Sequence, residues 1–414
     1  MLEEKSFLSA DKETTIAYYV FTPEDQSPFA ILQICHGMAE YLLRYRDFAE
    51  FLNRKGIVVC GCDHKGHGKS IGENGTAGYF GKGEALDVLV KDQVNLVGIM
   101  RKKYRHLPYV LLGHSMGSFI ARRIAAEYTG LLDGVIICST AGPQTPAGAG
   151  KLLASAVEKF TAEKKPCPFI GKVAFAGYNK KTGSNIPNSW LSRDGKIVEA
   201  YNNDPLCGFA FTPSAYRQLF ECIKKVNAPE WFDSVDKSLP VLVACGDADP
   251  VGSYGEGPKA VYEGLLDAEL CDVRLKVYPE GRHEILNELG KEEVYNDFCT
   301  FISEVAQGVV ESRTALRSEK GKTLARILGI DAGDVRTGVA LSDPGEFMAS
   351  GLCTLTEYSE ERLIDRLCAL IALHNAEKVV LGLPVNMDGT KGFRAEKVEA
   401  FAAKLQEACR KEVI

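Results

Sequence analysis

The sequence predicts an α/β protein in two parts: a large, mostly parallel sheet covered by helices on both faces and interrupted by one helical insertion, then a smaller α/β unit. Three observations predict it. From about residue 5 to 307, apolar strand-like runs alternate with amphipathic helical ones, the signature of parallel strands joined by crossover helices. Between about 141 and 228 that rhythm stops. Beyond 302 the chain turns polar and charged, and a new apolar pattern begins at Arg326.

The predicted strands of the first part are 15–21, 30–35, 57–62, 109–112, 134–139, 241–245 and 273–278. Most are short runs rich in Val, Ile and Leu, as expected of strands buried on both faces. The 141–228 segment holds helix-like pieces at 151–160 and 214–225, joined by Pro-, Gly- and Asn-rich stretches. Because it lies between two core strands, it is predicted to cap the carboxyl edge of the sheet. The first domain is thus expected over 1–307. Residues 308–323 are polar, charged and without periodicity, and are predicted to be a linker. Over 324–414 the pattern gives strands 327–330, 337–341, 352–355 and 378–381, with helices 360–373 and 394–409. This second domain, about 90 residues long, is near the lower end for independent folding.

Composition narrows the class. A net charge of -6 argues against a surface built mainly for nucleic acid or anionic lipid. The 13 cysteines include no Cys-x-x-Cys pair, and many sit inside apolar strand or helix patterns, which favours a reducing cytoplasm over a disulfide framework. The N-terminal residues lack an export-signal pattern, and no apolar stretch is long enough to span a bilayer. A soluble cytoplasmic protein is expected.

The chemistry is announced by Gly113-His114-Ser115-Met116-Gly117, which follows a predicted strand and precedes a predicted helix. A serine between two glycines at such a turn is lifted clear of the sheet, the pattern of a nucleophile elbow. A serine hydroxyl needs a base within hydrogen-bond reach, itself oriented by a carboxylate, in the chain order Ser, acid, His. Of the seven histidines only His283 and His374 follow the later acidic candidates, and His374 lies beyond the linker, which leaves His283 in the turn after strand 273–278. The strand 241–245 ends in Gly246-Asp247-Ala248-Asp249, which offers two aspartates as the acid. Backbone amides are the natural donors to a developing oxyanion. The amide of Met116, next to the serine, is one expected donor, and that of Met38, in the turn His36-Gly37-Met38-Ala39-Glu40, the other. The run Asp63-His64-Lys65-Gly66-His67-Gly68-Lys69-Ser70 suggests a metal site at first sight, but no matching ligand set occurs elsewhere, and its glycines suit a loop bracing the elbow.

Taken together, these motifs, with Asp249-Pro250-Val251-Gly252 and Arg282-His283-Glu284, resemble the monoacylglycerol lipase and lysophospholipase branch of the α/β-hydrolases, also described as serine aminopeptidase-like hydrolases. The resemblance covers about residues 5–307. It implies an α/β-hydrolase fold with a helical cap, and Asp249 as the acid of a Ser115–His283–Asp249 triad. It also implies monoacylglycerol, lysophospholipid or other carboxylic ester substrates, and no cofactor. Ser115 would be acylated with His283 as general base, and water activated by the same histidine would deacylate it. Phe169, Ile170, Phe175, Leu206, Phe209 and Phe211 are candidate walls of an apolar channel in the cap, which is expected to touch a lipid surface transiently. For each of them the alternative is ordinary packing inside the cap.

In the second part, Ile327-Leu328-Gly329-Ile330-Asp331-Ala332-Gly333, Arg336-Thr337-Gly338-Val339-Ala340-Leu341-Ser342-Asp343-Pro344, Leu381-Gly382-Leu383-Pro384 and Asn386-Met387-Asp388-Gly389-Thr390 resemble the YqgF/RuvX family. These are RNase H-like Holliday junction resolvases, also called pre-16S rRNA nucleases. Nucleases of this fold gather several carboxylates around divalent metal, and Asp331 matches the family's first. The family's later acidic motif and C-terminal helix are not in this sequence, which reaches only Glu412-Val413-Ile414. Asp334, Asp343 and Asp388 read as turn caps. The expectation is therefore an incomplete RNase H-like domain, with one sheet face uncovered, that is loosely folded or partner-dependent. A divalent metal such as Mg would matter only if it were active. Eleven basic against fourteen acidic residues over 324–414 give no track for a phosphate backbone. Two rival readings, a nucleic-acid enzyme acting through this domain and an inert hydrolase scaffold, are disfavoured by the short carboxylate set and by the complete triad.

Overall fold

The computed structural model describes residues 1–414 apart from 74, 320–325, 334–335, 343–348, 358, 375 and 385–391, with side chains also left aside over 313–319. The chain divides into two units, Met1–Val310 and Glu311–Ile414. In chain order the first part contains β1 (Leu2–Leu8), β2 (Thr15–Phe21), β3 (Ala30–Cys35), α1 (Arg46–Asn53), β4 (Ile57–Cys62), α2 (Leu86–Lys103), β5 (Tyr109–His114), α3 (Met116–Glu127) and β6 (Gly134–Cys138). There follow α4 (Ala147–Glu158), α5 (Pro168–Ala174), α6 (Gly195–Asn203), α7 (Pro213–Val226), α8 (Pro229–Ser234), β7 (Val241–Gly246), α9 (Glu256–Asp267), β8 (Val273–Tyr278) and α10 (Lys291–Glu319).

The eight strands form one sheet in the order β1-β2-β4-β3-β5-β6-β7-β8. From β4 to β8 every pairing is parallel, and β1 and β2 add an antiparallel edge. Strand alternation sends Val110 and Leu112 to a core shared with Phe48, Leu52, Phe298 and Ile302 of α1 and α10. Tyr109 and Leu111 face the opposite core, with Leu89, Ile120, Ile124 and Leu265 of α2, α3 and α9. Each helix layer thus dries one face, as the near-continuous apolar runs require. The reading of the sequence omitted β1, whose Glu3, Glu4 and Lys5 break the apolar pattern. As an edge strand it is held by its ladder to β2, from Leu2↔Phe21 to Leu8↔Thr15, with most of its side chains exposed or half-exposed.

Between β6 and β7 the predicted insertion carries α4 to α7, and α8 follows directly after it. The predicted linker, 308–323, spans the boundary between the two units and is helical over much of its length. α10 runs on through Glu319, so 308–319 is helical. The stretch beyond Gly308 has no glycine or proline until Gly321 and is rich in Glu, Arg, Ala and Leu, whose helix propensity sustains the helix without an apolar stripe. Residues 320–323 lie outside the described residues. Among the described residues no helix is long and apolar enough to cross a membrane.

The second unit holds β9 (Arg326–Ala332), β10 (Arg336–Ser342), β11 (Ala349–Thr356), α11 (Glu360–Leu373), β12 (Ala376–Leu381), α12 (Phe393–Cys409) and β13 (Glu412–Val413), with sheet order β11-β10-β9-β12-β13. Both helices pack on one face, where Leu367, Leu370, Phe401 and Leu405 meet Leu328, Ile330 and Val379. The other face carries small residues, Gly329, Gly338, Ala340 and Gly351, around a concavity of about 630 Å³ that Asp331 borders. Asp334, Asp343 and Asp388 lie outside the described residues.

Candidate active site

The elbow is built by packing. Ser115 sits between β5 and α3 at φ 51° and ψ -118°, a region that non-glycine residues seldom occupy. What holds it there is the closeness of its neighbours. A Cβ on Gly113 would stand 2.4 Å from the Gly117 carbonyl oxygen, and one on Gly117 would stand 1.9 Å from that of Cys35. Only glycine lets β3, β5 and α3 approach so closely. The Ser115 amide donates to the Cys138 carbonyl at 3.0 Å, tying the elbow to β6.

Three strand ends converge on this serine. His283, in the turn after β8, places Nε2 2.9 Å from Ser115 Oγ and Nδ1 2.9 Å from Asp249 Oδ2. With the Nδ1 proton donated to the carboxylate, Nε2 is left to accept the serine proton. Asp249 is wholly buried, and its other oxygen accepts the Val251 amide at 2.9 Å. Asp247, the other candidate, instead accepts the Glu280 amide at 2.6 Å and so holds the turn leading to the histidine. His374, in the second unit, follows α11.

Met38 and Met116 carry the two predicted oxyanion amides. The turn holding Met38 is pinned by the Gly37 amide, which donates to Glu40 Oε1 at 2.6 Å, while Ala39 takes a positive φ of 52°. A Cβ on Gly37 would come 3.3 Å from the Ser115 Cβ, so this turn lies directly against the elbow. Among the described residues neither methionine amide has a protein acceptor. Met116 also begins α3, whose N-terminal partial positive charge favours an anion there.

Sequence reading missed the polar network around these groups. Arg44 binds Glu284 through two hydrogen bonds of 2.7 Å and Glu40 through one of 2.6 Å. Tyr45 donates to Glu40 at 2.7 Å, and His114 Nδ1 lies 3.3 Å from the same carboxylate. Burial works against the Glu40 charge, but the His114 hydrogen bond and the Arg44 charge hold its carboxyl well below the usual range. Burial likewise opposes a charged His114, while Glu40 raises it above the ordinary imidazole value. The His283 carbonyl accepts from Ser139 Oγ at 2.7 Å and lies 3.2 Å from His114 Nε2, which fixes the loop carrying the base. Glu284 follows His283 and Glu40 belongs to the turn that holds Met38, so Arg44 ties the two together. Arg44 and Glu284 are 240 residues apart in sequence, beyond the reach of any local pattern.

The loop from Asp63 to Ser70 braces the elbow through His36. His36 Nε2 accepts the His64 amide at 3.0 Å, and His64 Nε2 lies 3.1 Å from the His36 carbonyl. These nitrogens serve the backbone, in keeping with a bracing loop.

The insertion reaches the site. The His283 amide donates to the Trp190 carbonyl and the Glu284 amide to that of Leu191, at 3.3 and 2.7 Å. The Trp190 ring lies 5.1 Å from the His283 ring. Of the predicted wall residues, Phe175 stacks on Trp190 and Phe209 packs on His67. Leu206 is half-buried, and Phe169 is exposed. Ile170 and Phe211 are wholly buried, core rather than wall. A cavity of about 390 Å³ in the insertion is lined by Phe175, Tyr178, Asn179, Asn188 and Trp190, the last of which packs on His283. Trp190 was missed because it stands alone in a polar stretch.

The profile of the family described as serine aminopeptidase, S33, matches residues 26–290. The chain is 30% identical over 290 residues to the monoacylglycerol lipase of Mycolicibacterium smegmatis, covering 69% of this chain and 92% of that protein. The solved structure of a carboxyl esterase from Bacillus coagulans in complex with glycerol is similar, with a TM-score of 0.69 and 32% identity over 74% of this chain and 99% of that one. Residues 325–414 match the profile described as RuvX, Holliday junction resolvase. Over 76 residues they are 49% identical to a Clostridium acetobutylicum protein named "Putative pre-16S rRNA nuclease", and they span 56% of its length.

Proposed function

The chain belongs to the serine aminopeptidase S33 family of α/β-hydrolases, and from that premise we propose that it cleaves carboxylic esters of monoacylglycerol or lysophospholipid type through an acyl-enzyme on Ser115. The observation that carries this reading is the continuous relay from Ser115 Oγ to His283 to Asp249, 2.9 Å at each step. Ser115 Oγ attacks the ester carbonyl as its proton passes to His283 Nε2. The amides of Met38 and Met116 receive the negative charge on the carbonyl oxygen, a contribution worth about 2.7–4 kcal/mol for one donor. Collapse of the intermediate breaks the ester C–O bond, and His283 returns the proton to the leaving alcohol. Water then repeats the sequence on the acyl-serine, and Asp249 keeps the Nδ1 proton in place throughout.

The reaction needs no cofactor. Lipid substrate is supported by the named activity of the M. smegmatis relative and by the aromatic wall of Phe175 and Trp190 beside the base. A reducing, cytoplasmic setting is supported by the 13 free thiols. To the second unit we assign no step. The test is Ser115→Ala in the full chain, assayed on p-nitrophenyl butyrate and a monoacylglycerol with circular dichroism as the folding control. Turnover is expected to vanish while the spectrum is unchanged; retained turnover would overturn the assignment.

A further inference from the structure

Arg122 is the largest side chain that is wholly buried, and among the described residues no carboxylate pairs with it. Withdrawing a cation from water costs several kcal/mol, and an apolar residue of similar volume would fill the space without that penalty. What the guanidinium meets accounts for its presence. Nη1 donates to the Ala141 carbonyl at 3.4 Å, and Nη2 donates both to the Val226 carbonyl and to Asn227 Oδ1, the latter at 3.0 Å. Asn227 Nδ2 donates in turn to the Ala141 carbonyl at 3.4 Å. The cation also lies 4.3 Å from the Trp231 ring centroid, and Trp231 Nε1 donates to the Arg122 carbonyl at 2.7 Å. The Val226 carbonyl at the C-terminal, negative end of α7, the Ala141 carbonyl after β6 and an indole face are what stabilise a cation that lacks a counter-ion.

The position of these partners gives the contact its meaning. Ala141 is where the chain enters the insertion, and Val226 and Asn227 are where it leaves, while Arg122 lies on α3, the helix that starts at the nucleophile. One side chain therefore grips both stems. At its far side the same insertion presses Trp190 on His283, and Gly208 N and Tyr201 Oη donate to the Ala39 carbonyl at 3.0 and 3.2 Å, beside the oxyanion amide.

We propose that Arg122 is a positioning residue that clasps both stems of the insertion to the nucleophile helix and so sets the preference of the site for long acyl chains over short ones. A long chain needs the walls that the insertion supplies, whereas an acetyl ester needs only the triad and the oxyanion amides. The proposal rests on the ester-hydrolase reading. It is tested in the full chain with Arg122→Met, Arg122→Lys and Asn227→Ala, measuring kcat and KM on p-nitrophenyl acetate and p-nitrophenyl laurate, with chymotryptic cleavage within 141–228 as a readout independent of activity.

Arg122→Met is expected to lower the laurate-to-acetate ratio of kcat/KM roughly tenfold, mostly through the KM for laurate, with kcat on acetate within about twofold. Cleavage of the insertion should quicken, and the lysine variant should recover part of both effects. Asn227→Ala, which leaves the buried cation in place, should move the ratio in the same direction by less and carries the test if Arg122→Met does not fold. An unchanged ratio in the folded variants would overturn the proposal. Failure of the hydrolase reading would show separately, as turnover retained in Ser115→Ala.

Discussion

Replacing His67 with leucine should make the protein's stability less sensitive to acid by a predictable amount. His67 is wholly buried against Phe80, Phe209 and Phe211. Its Nδ1 donates to the Lys65 carbonyl at 3.2 Å, and among the described residues Nε2 has no partner. Burial, and then the neighbouring His64, depress its pKa from 6.5 to about 3. A group whose folded pKa is depressed contributes stability that is fully present above its unfolded pKa and is lost as pH falls toward the folded value. At pH 5 the unfolded chain binds the proton while the native imidazole stays neutral. The solution is then about 1.5 units below the unfolded pKa, and at about 1.36 kcal/mol per unit the loss is roughly 2 kcal/mol. His67→Leu lacks this term, so the stability difference between variant and parent should shift by about 2 kcal/mol in the variant's favour between pH 8 and pH 5. Groups titrating in both proteins, such as Asp92, which burial raises to about 6, cancel in that difference. Urea unfolding followed by tryptophan fluorescence reads it directly, because Trp190 and Trp231 both lie in the first unit. A difference that is the same at both pH values would refute the reasoning.

Two further substitutions probe the site. Asp249→Asn should lower kcat by about 10³–10⁴ without unfolding the protein, because the amide presents the wrong partner to His283 Nδ1; a loss under tenfold in steady-state assays would return the orienting role to Asp247. Glu284→Gln removes a carboxylate from an Arg44 side chain that is 11% exposed and should destabilise the fold by about 3 kcal/mol in urea titrations at pH 7, whereas an unchanged midpoint would show that Glu40 alone satisfies the guanidinium.

How much of this could be read from the sequence depends on how local each signal is. The elbow was legible because its five residues, and the strand and helix that flank them, are contiguous in sequence, although the contact that demands glycine at 117 comes from the distant Cys35 carbonyl of β3. The order of serine, acid and base left two aspartates open, and only the family resemblance chose Asp249. In the structure Asp247 turns to the Glu280 amide and Asp249 to His283 Nδ1. Elements whose stability is tertiary were hidden. β1 carries Glu3, Glu4 and Lys5 and exists because β2 offers it a ladder, whereas the continuation of α10 to Glu319 was hidden for a different reason, its residues lacking an apolar stripe. Trp190, Ser139 and the Arg44–Glu284 pair carry no local spacing, because their partners come from distant strand ends and from the insertion; within that network only Glu40 and Arg44 are near in sequence, four residues apart.

The central claim is that Ser115 is the activated nucleophile of this chain. Its most direct test is labelling of the full-length protein with a fluorophosphonate, followed by peptide mass spectrometry. The account predicts a single adduct on Ser115 that disappears in His283→Ala, since the hydroxyl is activated only through that imidazole. Labelling on another serine, or labelling of Ser115 undiminished without His283, would contradict it.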